Sequence, residues 1–248
     1  DYAMEDTYPV VCTYVRVRPP GLTRQKNAGV AAVAEHINLL CFMDDDIVLE
    51  EGSLEAMMEF WESADSEIGG ASFNLMTSDP PDSKTCSFFK RLFFIQNDAY
   101  GKVHKSGFNT SIWQTDVDRS VDWLGGGYTV WRKEVFNFLE FDEWFEGSGL
   151  WEDVHFSYRA RKIYKLALVA RAKALHLEQP ISSNANIRLG KTQIINWIYF
   201  VTHNEGLSSF WCVWACFGRI LVNIVKGLGT TNKDPILRAL GNVQGLCI

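Results

Sequence analysis

The chain has 248 residues, 47% hydrophobic and 22% charged, which suits one large domain or a domain with an appendage. Its net charge of −6 and pI of about 5.4, with no long basic stretch, argue against nucleic acid as a partner. Cys12, Cys41, Cys86, Cys212, Cys216 and Cys247 lack metal-knuckle spacing and read as reduced packing residues of a cytoplasmic protein.

Val10 to Val17 is rich in β-branched residues and predicts a strand, ended by Pro19-Pro20-Gly21. Thr23 is a candidate N-cap for a helix reaching about His36. Asn38 to Met43 predicts a second strand. Glu51 to Ser63 predicts an amphipathic helix whose buried stripe is Leu54, Met57, Met58 and Trp61. A strand over Ile68 to Leu75 precedes a polar loop, Thr77 to Thr85, and an aromatic stretch, Ser87 to Ile95. Val130 to Phe138 is expected to start a helix, Trp151 to Tyr164 to form another, and Leu166 to Ala172 a short strand. Alternating strands and helices imply a layered α/β fold, whose ligands bind beyond the carboxyl ends of the strands.

From Ile194 to Leu228 the chain is apolar and aromatic. Phe210, Trp214, Phe217, Leu221, Ile224 and Leu228 share one helical face, and Cys212, Cys216, Arg219, Asn223 and Lys226 the other. Residues 207–228 suit in-plane contact with a membrane surface or packing against other helices; Arg219 and Lys226 interrupt a span.

Asp44, Asp45 and Asp46 follow directly on an apolar strand. Three adjacent carboxylates are costly to desolvate, so that strand end needs water, donors or a cation. Their hard oxygens suit Mg²⁺ or Mn²⁺. Arg24 and Lys26, near a helix start, suit phosphate oxygens. Gly125-Gly126-Gly127 between Trp123 and Tyr128 permits close backbone approach, with aromatic faces suited to sugar rings. Glu152 and Asp153 open a helix, where either complements the dipole or acts as a base, with Arg159 or Arg161 as a partner. His176 is a candidate metal ligand or a structural histidine.

In order, Gly21-x-x-Arg24-x-x-Asn27-x-Gly29, Phe42-Met43-Asp44-Asp45-Asp46, Trp123-Leu-Gly-Gly-Gly, Phe141-Asp142-Glu143 and Glu152-Asp153-x-x-Phe156-Ser157-x-Arg159 resemble the family 2 glycosyltransferases. The resemblance spans roughly residues 10 to 180. It implies a GT-A-type, Rossmann-like mixed sheet flanked by helices over residues 1–180, with a C-terminal helical appendage over 181–248. It further implies metal-dependent, inverting transfer of a sugar from a nucleotide-diphosphate donor to a hydroxyl, in polysaccharide or glycoconjugate synthesis. On that basis Asp46, Asp44 and His176 match the surroundings of Mn²⁺ or Mg²⁺. Asp44, Asp45, Arg24 and Asn27 match the donor side, Trp123, Gly125, Gly126 and Gly127 the acceptor side, Asp153 the base and Glu152 its support. The acceptor would be a saccharide or a lipid-linked one, and the setting the cytoplasm or the inner face of a membrane. Because Val10 to Val17 runs straight into the Gly21 motif, it resembles the family's third strand. The chain is therefore expected to be truncated at its N-terminus, which would leave it inactive. A nucleotidyl- or phosphotransferase and a non-catalytic nucleotide-sugar or saccharide-binding module are the competing readings.

Overall fold

The computed structural model describes residues 12–76, 84–95, 99–112, 114–177 and 183–248. Among these, α1 spans Leu22–Ala32, β1 Leu39–Met43, β2 Ile47–Leu49, α2 Ser53–Ser63, β3 Ile68–Leu75 and α3 Lys84–Leu92. Then come β4 at Arg119–Val121, β5 at Tyr128–Arg132, a 3₁₀ turn at Lys133–Asn137, α4 at Glu152–Ala160 and β6 at Lys165–His176. Helices α5 (Ser183–Thr202), α6 (Ser209–Leu228) and α7 (Asp234–Leu246) follow.

The strands form one mixed sheet in the order β1-β5-β3-β6-β2, with β4 pairing the start of β6. β3 and β6 are parallel, and the other pairs are antiparallel. Both faces of the sheet are covered, so its central strands are apolar at nearly every position. Side chains of a strand alternate between faces. Ala71, Phe73, Val130, Ala167 and Val169 accordingly meet Met57 and Trp61 of α2. Trp131, Leu166 and Leu168 point the other way, into a larger core shared with Phe156 of α4, Trp197 and Phe200 of α5, and Cys212 and Cys216 of α6. The C-terminal helices thus share a core with the sheet.

Several expectations need correction. Residues 12–17 form no strand; they are largely exposed, Tyr14 at 87%, and Val10 and Val11 lie outside the described residues. β-branched content alone does not make a strand without a partner edge, and here β1 has no second strand neighbour among the described residues. Val130 belongs to a strand, not a helix start, because Tyr128–Arg132 is the rung between β1 and β3. Of the α2 stripe, Met57 and Trp61 are buried while Leu54 and Met58 are exposed, so the helix is seated by Ala56 instead. Thr23 lies inside α1 and Gly21 is its N-cap. The aromatic stretch after residue 84 is helical, and most of the loop before it lies outside the described residues. β6 runs to His176, four residues beyond the expected Ala172. Three cysteines are buried, Cys86, Cys212 and Cys216, whereas Cys12, Cys41 and Cys247 are exposed, so packing does not account for the latter.

Helices α5 and α7 meet backbone to backbone. A Cβ on Gly190 would sit 2.3 Å from the Arg238 carbonyl oxygen, and one on Gly241 2.0 Å from that of Ile187. Buried Asn242 secures the seam: its amide donates to the Gly190 carbonyl at 2.8 Å, and its side-chain oxygen accepts from Asn223 of α6 at 2.8 Å. Since the obstructing atoms are backbone, they have no rotamer to yield. Gly241→Ala is expected to destabilise the fold by about 1–3 kcal/mol or more, a fall of several degrees in a thermal melt. Gly29→Ala in α1, where a Cβ meets nothing within 4 Å, is expected to melt at or slightly above the parent protein, because alanine is favoured over glycine inside a helix by about 0.5–1 kcal/mol.

Candidate functional site

The aspartate triplet joins the two edges of the sheet. The Asp44 N–H donates to the Gly127 carbonyl at 2.8 Å, and the Leu177 N–H to the Asp46 carbonyl at 2.8 Å. The pairing of β2 with β6 sets Ile47 opposite His176. That register brings His176 Nε2 to 3.1 Å from Asp46 Oδ2. Asp46 Oδ1 is sheltered from solvent and has no hydrogen-bond partner among the described residues. An orphaned carboxylate oxygen beside an imidazole nitrogen suits a divalent ion that completes its shell from water and phosphate oxygens. The donor set is small: no cluster of three or more His, Cys, Asp or Glu side chains occurs among the described residues. Asp44 points elsewhere. A Cβ on Gly127 would fall 1.8 Å from its Oδ2, so its carboxylate lies over the glycine loop.

That loop is pressed between acids. A Cβ on Gly126 would lie 2.7 Å from Glu152 Oε1 and 3.0 Å from Lys26 Nζ, and one on Gly125 would overlap the Tyr128 ring. Lys26, reaching across from α1, donates to the Gly126 carbonyl at 2.8 Å and to Glu152 Oε1 at 2.6 Å. Both of these charged side chains are buried. Burial pushes the Glu152 carboxyl up to about 7, against the pull of Lys26, with Asp153 and Asp44 adding to the rise. Asp153 is half-buried, and desolvation raises its carboxyl too, against Lys26 and the hydrogen bond from the Val154 N–H at 2.8 Å. Tyr128 is driven upward by burial and by the charges of Asp153 and Asp44.

The approach to α4 is held in an unusual conformation. Trp151, its N-cap, has φ 78°, the left-handed region that a bulky residue avoids at a cost of about 1–3 kcal/mol. Its ring is stacked on Trp197, 5.3 Å between centroids at 15°, and is buried. Packing therefore offsets the backbone strain and fixes where Asp153 begins the helix.

Two separate cavities border these residues. A groove of about 380 Å³ runs between α1 and β1 and includes Lys26 and Asp44 in its lining. A larger cavity of about 610 Å³ is lined by Trp123, Trp151 and Asp153, with walls from α3 and α6. Trp123 is anchored there, its indole N–H donating to the Thr110 carbonyl at 2.8 Å.

Other expected site residues are used within the fold. Arg24 pairs with Glu143 at 3.2 Å. The Asn27 side chain both donates to the Phe141 carbonyl and accepts from its N–H, each at 2.9 Å, so it fastens the 141–143 segment to α1. Lys26 is buried and engaged by Gly126 and Glu152, and it also lines the groove beside β1. The arginines expected near Asp153 are engaged elsewhere, Arg159 with the Glu140 carbonyl and Arg161 with Asp122 at 2.8 Å. Asp45 is exposed. The Lys26 pairing had one sequence signal: it lies one turn from Thr23, on the same helical face. Sequence reading missed the buried His155. This residue is held neutral, near 4, chiefly by desolvation. No protein-family profile matches this chain, and no curated protein matches it either.

Removing one member of the Lys26–Glu152 pair leaves the other buried without compensation. Lys26→Met is expected to destabilise by about 3–5 kcal/mol, with most of the loss recovered in Lys26→Met/Glu152→Gln. Because the folded-state pKa of Glu152 lies above its ordinary 4.5, its contribution to stability is fully present below 4.5 and is lost as pH rises through about 7. Thermal melts across that range should show a decline that Glu152→Gln flattens and that Lys26→Met carries to higher pH. Identical profiles for all three proteins would remove Glu152 as the titrating group.

Proposed function

We propose that the chain is a metal-dependent, inverting glycosyltransferase of the family 2 type, with the sheet and flanking helices as a GT-A fold. The observation that carries this reading is that Asp44 and Asp153 border two separate cavities, one beside β1 and the other lined by Trp123 and Trp151. Sugar transfer needs that separation, because donor diphosphate and acceptor hydroxyl approach the anomeric carbon from opposite sides. The ordered motifs of the sequence support the same reading.

In this reading the groove beside β1 takes the nucleotide-sugar, and Asp46 with His176 would hold Mn²⁺ or Mg²⁺. When bound, such an ion supplies Lewis-acid stabilisation of a diphosphate. Asp44, over the glycine loop, faces the donor sugar. Asp153 accepts the proton of the acceptor hydroxyl as its oxygen forms the new bond to the anomeric carbon. The bond from that carbon to the phosphate oxygen breaks, and the diphosphate leaves with the electron pair. A base in a partly desolvated cleft is suited to this step. Glu152, locked by Lys26, positions Asp153 and does not itself touch substrate. The exposed apolar face of α6, the one described helix long and apolar enough to cross a membrane, supports a setting at the inner face of a membrane.

Asp153→Asn is expected to lower transfer about 10²–10⁴-fold while nucleotide-sugar binding, followed by calorimetry, is retained. Asp46→Asn should weaken Mn²⁺ binding, read by electron paramagnetic resonance without any substrate. Loss of donor binding in Asp153→Asn would move that residue to the donor side. Binding of nucleotide-sugars without turnover would favour a binding module, and turnover of nucleoside triphosphates a nucleotidyltransferase.

A further inference from the structure

Asp142, in the segment that Asn27 fastens to α1, holds two aromatic rings in a fixed relation. Its Oδ1 accepts from the Trp144 N–H at 3.0 Å, and its Oδ2 from the Tyr199 hydroxyl at 2.9 Å. The two rings lie parallel, 3.6 Å between centroids at 4°, and His203 stacks on Tyr199 in turn at 3.9 Å. Trp144 is nonetheless 41% exposed. A tryptophan left in water adds little to a core, so burial does not explain why its backbone and its ring are both clamped. The clamp yields a rigid, flat aromatic platform at the surface.

That platform lines a groove of about 580 Å³, distinct from the two cavities above. Glu146 and Ser148 line it from the segment after Trp144, and Arg188, Thr192 and Asn196 from α5. Asn196 is 5% exposed, and its amide donates to the Leu150 carbonyl at 2.6 Å. Its side-chain oxygen has no partner among the described residues. A buried acceptor left open in the wall of a groove calls for a donor from whatever fills it. Glu146 and Arg188 are exposed, and neither is in an ion pair among the described residues. They are the charged residues of the lining, one of each sign, so the groove favours a neutral ligand over an anion or a cation. A pyranose has C–H bonds on its ring faces and hydroxyls around its rim. The indole face suits the first, and an amide oxygen, a guanidinium fork and a carboxylate suit the second.

We propose that this groove is a second saccharide site, which holds a neutral sugar of an oligosaccharide apart from the cavity at Asp153. Neighbouring residues divide between the two. Asn196 lines the groove and Trp197 the cavity, as do Ser148 and Leu150 respectively. An oligosaccharide engaged at both is held more tightly than a single sugar, because its second contact is intramolecular. Asp142 is a positioning residue for the platform. The groove contacts stand without the glycosyl-transfer reading; only the role of the bound oligosaccharide, as acceptor or product, rests on it.

Calorimetric titration of the purified chain with cellotetraose, chitotetraose and maltotetraose tests it. At least one is expected to bind, and more tightly than its monosaccharide. Trp144→Ala should weaken that binding about tenfold, and Trp144→Phe, which keeps a ring on Tyr199, by less. Arg188→Gln, at an exposed position that leaves the Tyr199 stack intact, should weaken it about threefold. Absence of binding by all three tetrasaccharides overturns the proposal. So does binding that Trp123→Ala abolishes while Trp144→Ala and Arg188→Gln leave it unchanged, which would put the sugar in the Asp153 cavity alone. Tighter binding of a polyproline decapeptide than of any saccharide would also overturn it, in favour of a peptide groove. Tetrasaccharide binding with no turnover of any nucleotide-sugar would keep this proposal and remove the transferase reading. Transfer to monosaccharides that Trp144→Ala leaves unchanged, with no tetrasaccharide binding, would do the reverse.

Discussion

An ammonium and a carboxylate buried 2.6 Å apart are a poor investment in stability, since desolvation of the two charges rivals their attraction. Lys26 and Glu152 nevertheless sit where α1, the glycine loop and α4 converge. The lysine satisfies the Gly126 carbonyl as well as the glutamate, so one ammonium fixes three segments that are far apart in sequence. Any side chain at position 126 would separate them. The absence of a Cβ is what lets the Asp44 strand end, the loop and Asp153 share one small region.

The sheet sets the other half of the geometry through register. His176 meets Asp46 because β2 pairs with the last residues of β6. β6 reaches that far only because its pairing with β3 shifts between Phe73 and Asn74, where Val169 is followed by Lys173 in the register. A bulge of this kind bends a strand and re-aims its end. The strand-end carboxylates and the imidazole are therefore placed by backbone pairing, while Asp153 is placed by side-chain packing around Trp151 and Lys26.

This difference explains what the sequence made legible. The triplet, the glycine loop and the Glu152-Asp153 pair were visible because their residue types are unusual at strand ends, turns and helix starts. Ile68 to Leu75 was legible as a strand from its continuous apolar run. Val130 was not, because an apolar segment followed by Lys and Glu reads equally as a helix start, and only the β1 and β3 edges decide between them. The roles of Lys26, Asn27 and Arg24 were hidden for a related reason. A basic or amide residue near a helix start fits a phosphate site in any local reading, and its partners within the fold, Glu152, Phe141 and Glu143, lie more than a hundred residues away.

The same limit applied to α6, with an opposite sign. Periodicity separated its two faces correctly but could not say which one points inward. A soluble helix conventionally buries its bulkiest apolar stripe, whereas α6 buries Cys212, Ala215, Cys216, Gly218, Val222 and Asn223 and leaves its aromatic residues outside. The small residues allow α6 to approach its neighbours closely: a Cβ on Gly218 would lie 2.1 Å from Phe93 of the α3 end. That close contact between α3 and α6 brings Lys90, Arg219 and Lys226 to one cavity while leaving the bulky aromatics outside. Close packing by small residues, cations beneath and aromatics above are thus consequences of a single choice of which face to bury. The inversion links the interior of the cavity to a surface that water alone does not favour.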